Sequence, residues 1–543
     1  MTGNPQMADN VLIINLTRFG DLLQTQPLLS GLAANGANCG LVCLANFVDA
    51  VPMMRHVSDA WPLRGSMLLS RLHGNWPKAL NMITGFVRGI RSNASYSHII
   101  NLTPTNSARL LARMLAQDGA NVLGFGMDEH GFGVNSGYWA AFLFLNVASK
   151  RRGSSPFNIA DVFRMTALPL LGAARPGQDS GKLGVPPQEA RVWAGDFLAK
   201  YPFVRPGKNL IALQPGASNP DRQWPVEHFA VYAARLHEQG YISMLLGSAA
   251  EKPLAEAFAA RVDFPFVDAT GQTTIPQLAA LLEQSLLLAT NDTGTMHLAS
   301  GLGVRCLAFF LATAQPWDTG PYAAGNCCLE PALACHPCSF NQICGFDHAC
   351  LRQIGPDLAA SLALGQLKHG SWLEGLTDEM RASKARIWLT GRDACGFSDI
   401  QCISGHQGQG QSAWLAWQRY FWRQILDNVS GIQPSCSPKK PDFPAPANYV
   451  EHAAPVLRQV AGILESLAGA AALAGKNPRA GKILLQGCDN VQSLLDACAP
   501  LASLGDFWRE LRNDSDDIGK FAAQLGVLSK NLTNFAAELV GKE

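Results

Sequence analysis

Asp21 is the first residue whose type and setting could do chemistry. It closes the turn Arg18-Phe-Gly-Asp21, between a β-rich apolar run at 11–16 and Leu22, Leu23, Gln26, Leu28, Leu29 and Leu32 at helical spacing. A carboxylate at the mouth of a strand–loop–helix unit can take a proton from an attacking hydroxyl. Capping the helix is the commoner role for Asp there. Gly20 allows close backbone approach to a substrate, with Arg18 beside it. A second loop, Gln214-Pro-Gly-Ala-Ser-Asn-Pro-Asp-Arg-Gln-Trp-Pro225, offers small residues, the Ser218 hydroxyl and the Arg222 cation before a helix, which suits a phosphate. The plain alternative is a polar surface loop in which Trp224-Pro225 packs the helix entry. A third, Asn291-Asp-Thr-Gly-Thr-Met-His297, opens a helix whose free N–H groups favour an anion. Gly294 leaves room there, and Thr293 and Thr295 add hydroxyls. Asp292 or Thr293 could equally be a simple cap, and His297 a packing residue.

Two further clusters invite chemistry. Cys335-x-x-Cys338, Cys344 and Cys350 share a loop-rich stretch, so a structural zinc distant from any catalysis is one reading. Disulfides or plain reduced thiols together outweigh it. From Ala60 to Gln117 there is no Asp or Glu, while Arg64, Arg71, Lys78, Arg88, Arg91, Arg109 and Arg113 alternate with apolar residues. Such a face could meet an anionic acceptor or a membrane surface, or be an uneven charge pattern with no partner.

The elements that position these loops come in two sets. Apolar runs at 40–44, 98–102 and 121–125, with a helix at about 106–116, make the first unit α/β. The pattern restarts after a Pro/Gly-rich stretch at 172–187, with strands at 210–213, 242–246, 286–289 and 305–309. Ligands in such sheets bind beyond the carboxyl ends of strands, so two facing sheets put a site in the cleft between them. We divide the chain into domains at 1–180 and 181–356, a mixed extension and linker at 357–448, and a helical region at 449–543. Asp514-Ser-Asp516 reads as a solvated cap or turn rather than a metal motif.

The bulk numbers exclude several classes. Lys and Arg number 43 against 42 Asp and Glu, so no basic excess points to nucleic acid. The first ten residues lack a basic segment leading into an apolar one, and the run at 11–16 falls far short of the ~18 residues of a membrane span. A cytoplasmic protein is expected, whose fourteen cysteines are mostly reduced core residues.

Taken together and in this order, Arg-Phe-Gly-Asp, Pro-Gly-Ala-Ser with a cation before Trp-Pro, and Asn-Asp-Thr-Gly-x-Met-His-Leu-Ala resemble glycosyltransferase family 9, which contains the ADP-heptose:lipopolysaccharide heptosyltransferases. Gly320-Pro-Tyr322 also matches, and the likeness covers about 10–355. The resemblance implies a GT-B fold, two facing Rossmann-like domains, here with a mainly α-helical C-terminal extension. It implies Asp21 as catalytic base of an inverting, metal-independent transfer. Ser218, Arg222, Asp292, Thr293, Gly294 and His297 would hold the diphosphate and sugar of a nucleoside-diphosphate donor, ADP-linked heptose by resemblance. Glu251 would contact the donor nucleoside, although a helix-start Glu is the plain alternative. Arg18, Gly20, Arg88 and Arg91 would face an anionic glycolipid or glycan acceptor, with peripheral contact at the inner membrane. Arg222 stands where the family usually carries Lys, which puts donor geometry in question. Comparable cysteines occur in some family members. A capsule or protein-glycan transferase, a catalytically silent scaffold of the same fold and a nucleotide-sugar epimerase are the competing readings.

Overall fold

In the computed structural model, residues 9–116, 119–148, 155–171, 177, 179–381, 384–429, 436–474, 477–513 and 518–541 are described. The Asp514-Ser-Asp516 triplet and most of 172–178 lie outside them.

The first domain is built on β1 (Asn10–Asn15), β2 (Asn38–Leu44), β3 (Val57–Leu63), β4 (His98–Asn101), β5 (Asn121–Met127) and β6 (Gly133–Ser136). They form one six-stranded sheet in the order β3-β2-β1-β4-β5-β6, parallel except for β6. The central strand β1 is apolar on both faces because helices cover both: Val11, Leu12, Ile13 and Ile14 are all fully buried. The leucine run after Asp21 forms two helices rather than one, Phe19–Leu23 and Gln26–Ala34. Pro27 lies in the first turn of the second, where its missing N–H costs nothing.

The second domain holds β7 (Leu210–Gln214), β8 (Ile242–Leu245), β9 (Val267–Asp268), β10 (Leu287–Asn291), β11 (Arg305–Phe309) and β12 (Cys327–Pro331). Two strands of the extension, β13 (Ala385–Arg392) and β14 (Ser398–Cys402), join it antiparallel, giving the order β14-β13-β12-β11-β10-β7-β8-β9. The mixed extension therefore contributes to the second sheet as well as covering it.

The remaining extension is helical, as expected, with helices Gly410–Val429, Ala447–Ala474, Pro478–Ala497, Ala502–Asn513 and Ile518–Val540. Ala447–Ala474 is long and apolar enough to cross a membrane. Its buried stripe, including Leu457, Val460, Leu464 and Leu467, belongs to the apolar core that runs through the helical region into the first domain. Trp422 meets Phe142 at 5.0 Å and Phe507 at 5.1 Å between ring centroids, and Asn135 Nδ2 donates to Glu510 Oε2 at 2.9 Å. Through these contacts and through β13, the extension grips both domains.

One buried carboxylate ties the three parts together. Asp161, on the helix Ile159–Thr166, accepts from Tyr322 Oη at 2.7 Å and from the Ser398 N–H at 2.7 Å. Burial raises its pKa, and Arg392 and the Tyr322 hydrogen bond offset only part of this. Asn158 Nδ2 donates to Gly320 O at 2.9 Å. The Gly320-Pro-Tyr322 motif is therefore a clasp between domains. Cys395 and Cys436 are joined by a disulfide, an exception to the reduced state expected of most thiols.

Candidate functional site

In each sheet the strand order reverses at one point, between β1 and β4 in the first and between β7 and β10 in the second. The helices leaving neighbouring strands there pass to opposite faces and open a crevice beyond the carboxyl ends. The loops at the two crevices line one cleft of about 790 Å³. Arg18, Gly20, Asp21, Ser218, Arg222, Glu251, Asp292, Thr293, Gly294 and His297 all line it.

On the first-domain side, Asn15 ends β1 and is buried. Its Nδ2 donates to Thr25 Oγ1 at 2.8 Å and to the Asp21 carbonyl at 3.2 Å, pinning the turn. Arg18 is the N-cap residue of Phe19–Leu23, so Asp21 lies within the first turn of the helix and is not its cap. The helix Phe19–Leu23 packs on the helix Gly294–Leu302 of the other domain. Contact this close requires glycine on both sides. A Cβ on Gly20 would stand 2.8 Å from His297 Cδ2, and one on Gly294 would overlap the Phe19 ring.

On the second-domain side, Asn291 ends β10 and stitches the two loops. Its Nδ2 donates to Pro215 O at 2.8 Å, and its Oδ1 accepts from the Trp224 N–H at 2.8 Å. Trp224 is buried, stacked on Phe309 with centroids 4.0 Å apart, so this end of the loop is packing, as the plain alternative has it. Arg222 is buried too. Its Nε donates to Thr313 Oγ1 at 2.7 Å, and Nη1 lies 3.5 Å from Asp292 Oδ2. Thr293 is the N-cap residue of Gly294–Leu302, but its side chain makes no capping hydrogen bond to that helix. Its leading N–H groups and Arg222 give the cleft a positive end. His297 is buried, and burial holds its pKa down at about 4, with Asp292 opposing only in part. It is neutral near pH 7. Glu251 accepts from the Ser248 N–H at 2.6 Å and Ser248 Oγ at 2.9 Å, closing a capping box, so the helix-start role is realised at the cleft wall.

Arg88 and Arg91 do not line the cleft. Both are exposed on the helix Trp76–Asn93, near the end that leads back to the amino edge of β4. Arg109 leaves the basic face altogether. It is buried, donating to Pro104 O, Gly126 O, Val134 O and Asn135 Oδ1.

Cys335, Cys338, Cys344 and Cys350 share one neighbourhood. Burial first, then the other three thiols, push the Cys338 pKa up. Among the described residues, however, no group of three or more His, Cys, Asp or Glu is arranged to hold a metal ion. Nor is the stretch distant from the cleft, since Phe340 lines it.

Sequence reading missed Asn15, Thr313 and Phe340, and gave Asn291, quoted within the third loop, no role of its own. Asn15 and Asn291 carry a legible signal, a polar residue closing an otherwise apolar strand.

Two Rossmann-like sheets facing across a cleft, with an anion-favouring wall and a carboxylate opposite, define the class: a GT-B protein. Residues 172–347 match the family model for glycosyltransferase family 9 (heptosyltransferase). The chain is 31% identical over 117 residues to lipooligosaccharide heptosyltransferase 2 of Haemophilus influenzae, a match covering 21% of this chain and 34% of that protein. It is 28% identical over 172 residues to the enzyme of the same name from Campylobacter jejuni, covering 31% and 54%. The chain thus spans between a third and about half of the length of these relatives. The crystal structure of the family 9 glycosyl transferase from Veillonella parvula superposes with a TM-score of 0.53 at 20% identity, covering 67% of this chain and 99% of that one, and shares the fold.

Proposed function

We propose that this chain is an inverting glycosyltransferase that moves a sugar, heptose by the likeness to its relatives, from an ADP-linked donor to a lipopolysaccharide-like acceptor. One observation carries the reading: the cleft joins Asp21 on one domain to Arg222, Asp292 and the start of Gly294–Leu302 on the other. A diphosphate leaving group gains negative charge as the anomeric C–O bond breaks. Arg222 and the helix N-terminus would stabilise that charge in the transition state. Asp21 would take the proton of the acceptor hydroxyl as its oxygen bonds to the anomeric carbon. Displacement from the opposite face inverts the configuration, and no step calls for a metal.

The first domain supports an anionic acceptor. Arg18 and Gly20 line the cleft. The helices Gly65–Gly74 and Trp76–Asn93 expose Met67, Leu69, Trp76 and Leu80 beside Lys78, Arg88 and Arg91, a combination that suits an anionic glycolipid surface. We propose a cytoplasmic protein in peripheral contact with the inner membrane face through these helices.

The test is a thermal-shift panel of ADP-, UDP-, GDP- and CMP-sugars, followed by transfer assays. A nucleoside diphosphate at a hundred times its dissociation constant adds about 2.7 kcal/mol. The expected result is a selective shift with ADP compounds, lost in Asp292→Ala, and in Asp21→Asn a loss of transfer with donor binding intact. No shift with any nucleotide returns weight to a silent scaffold. Neutralising Arg88 and Arg91 together should weaken binding to anionic vesicles; unchanged binding removes the membrane contact.

A further inference from the structure

The segment 332–349 reaches from the end of β12 to the cleft. At its root, His336 is buried, with Nε2 3.2 Å from Glu330 Oε2. Glu330 also accepts from Trp388 Nε1 at 2.9 Å and Arg386 Nη1 at 3.2 Å, and Arg386 Nη2 donates to Leu333 O at 3.2 Å. Burial alone would raise the Glu330 pKa, but the His336 hydrogen bond and the Arg386 charge outweigh it and hold the carboxylate ionised. Arg386 and Trp388 belong to β13, a strand of the extension. Farther along, the Cys338 N–H donates to Ala312 O at 2.8 Å, and His348 Nδ1 lies 3.4 Å from Asp221 Oδ1, next to Arg222.

Between these ties stands Phe340. It lines the cleft, and its ring centroid is 5.7 Å from the guanidinium carbon of Arg222. Arg222 is thus held at its edge by Thr313 and Asp292 and approached by an aromatic ring. A planar fork spreads its donors over three nitrogens while its face meets a ring, whereas a lysine ammonium carries all its donors on one atom. This gives a physical reason for arginine at a position where a lysine would keep the charge.

We propose that Phe340 is a positioning residue that fixes the Arg222 guanidinium for the donor diphosphate, and that β13 of the extension anchors the segment carrying it. The inference rests on the donor-site reading above. It assigns part of the extension a task at the cleft, carried through Arg386, Trp388, Glu330 and His336.

The experiment is calorimetric titration of the full chain with ADP, together with donor KM and kcat where transfer is measurable, for Phe340→Leu, Phe340→Trp, Arg222→Lys and the Phe340→Leu/Arg222→Lys pair. Leucine keeps the apolar bulk and removes the π face. ADP binding should weaken on the order of tenfold in Phe340→Leu, with KM rising more than kcat falls. Tryptophan should keep binding within about twofold, its ring being the better cation partner. The leucine effect should shrink in the Arg222→Lys background, because the two residues act as a unit. Wild-type binding in Phe340→Leu, equal losses in the leucine and tryptophan variants, or a leucine effect undiminished in the Arg222→Lys background would each overturn the inference with the donor site intact. Failure of the unmodified chain to bind any nucleoside diphosphate would instead overturn the donor reading, and this inference with it.

Discussion

Replacing His297 should change how stability depends on pH, and the size of the change follows from its surroundings. The imidazole is buried against the Gly20 turn, and its Nδ1 has no hydrogen-bond partner among the described residues. Desolvation lowers its pKa from 6.5 to about 4 despite Asp292 nearby. Between those values the unfolded chain binds a proton at this site and the folded chain does not. Stability from this group is therefore complete above pH 6.5 and is lost as pH falls toward 4, at up to ~1.4 kcal/mol per pH unit. From pH 7 to pH 5 the loss is about 2 kcal/mol. Chemical denaturation of wild type and His297→Asn at pH 5, 6 and 7, at constant ionic strength, isolates the contribution, because other titrating groups are common to both. The asparagine variant should lose about 2 kcal/mol less than wild type across that range. Parallel pH profiles would refute the reasoning, since they would mean that His297 is protonated as easily in the folded protein as in the unfolded chain.

Two glycines give sharper tests of the cleft. Gly20→Ala puts a Cβ 2.8 Å from His297 Cδ2 and 3.4 Å from Gly294 Cα, so the domains must part locally. A cost of about 1–3 kcal/mol in thermal unfolding is expected, with loss of transfer, and an unchanged melting temperature would contradict the close approach. Gly216→Ala drives a Cβ into the Glu251 carboxylate and should expel it from its cap on Ser248. If so, Gly216→Ala added to Glu251→Ala should cost almost nothing more, and additive losses in that double-mutant cycle would refute it.

What could be read from the sequence was local. The three loops at the cleft announce themselves because an apolar run ends abruptly in Asn, Asp, Gly or Pro and a helical period begins, all within a dozen residues. The strands β1, β7, β10 and β11 were legible for the same reason: each has a centre buried on both faces that reads as an apolar run. The edge strand β3 was not. Val57 to Pro62 alternate between half-buried and exposed, and the strand carries Asp59 and Pro62. Arg109 looked like one more surface cation because residue type says nothing about acceptors brought to it from 126, 134 and 135. Pro27 argued for two helices, but the leucine period running across the break hid it.

The extension marks where local reading fails for a physical reason. Nothing in Ala385–Arg392 identifies β12, more than fifty residues earlier, as its partner, because strand pairing is decided by packing between distant segments. Once paired, that strand delivers Arg386 and Trp388 to a buried carboxylate that also holds His336. The cysteine-rich segment is then no separate module: its path from Glu330 to Asp221 is set by the extension at one end and the Arg222 loop at the other. A cysteine spacing read in isolation leaves metal, disulfides and free thiols open, whereas the fold shows that the segment carrying these cysteines brings Phe340 to the cleft. Spacing cannot choose among them, because a ligand set needs convergent side chains, and proximity in sequence supplies only the chance of convergence.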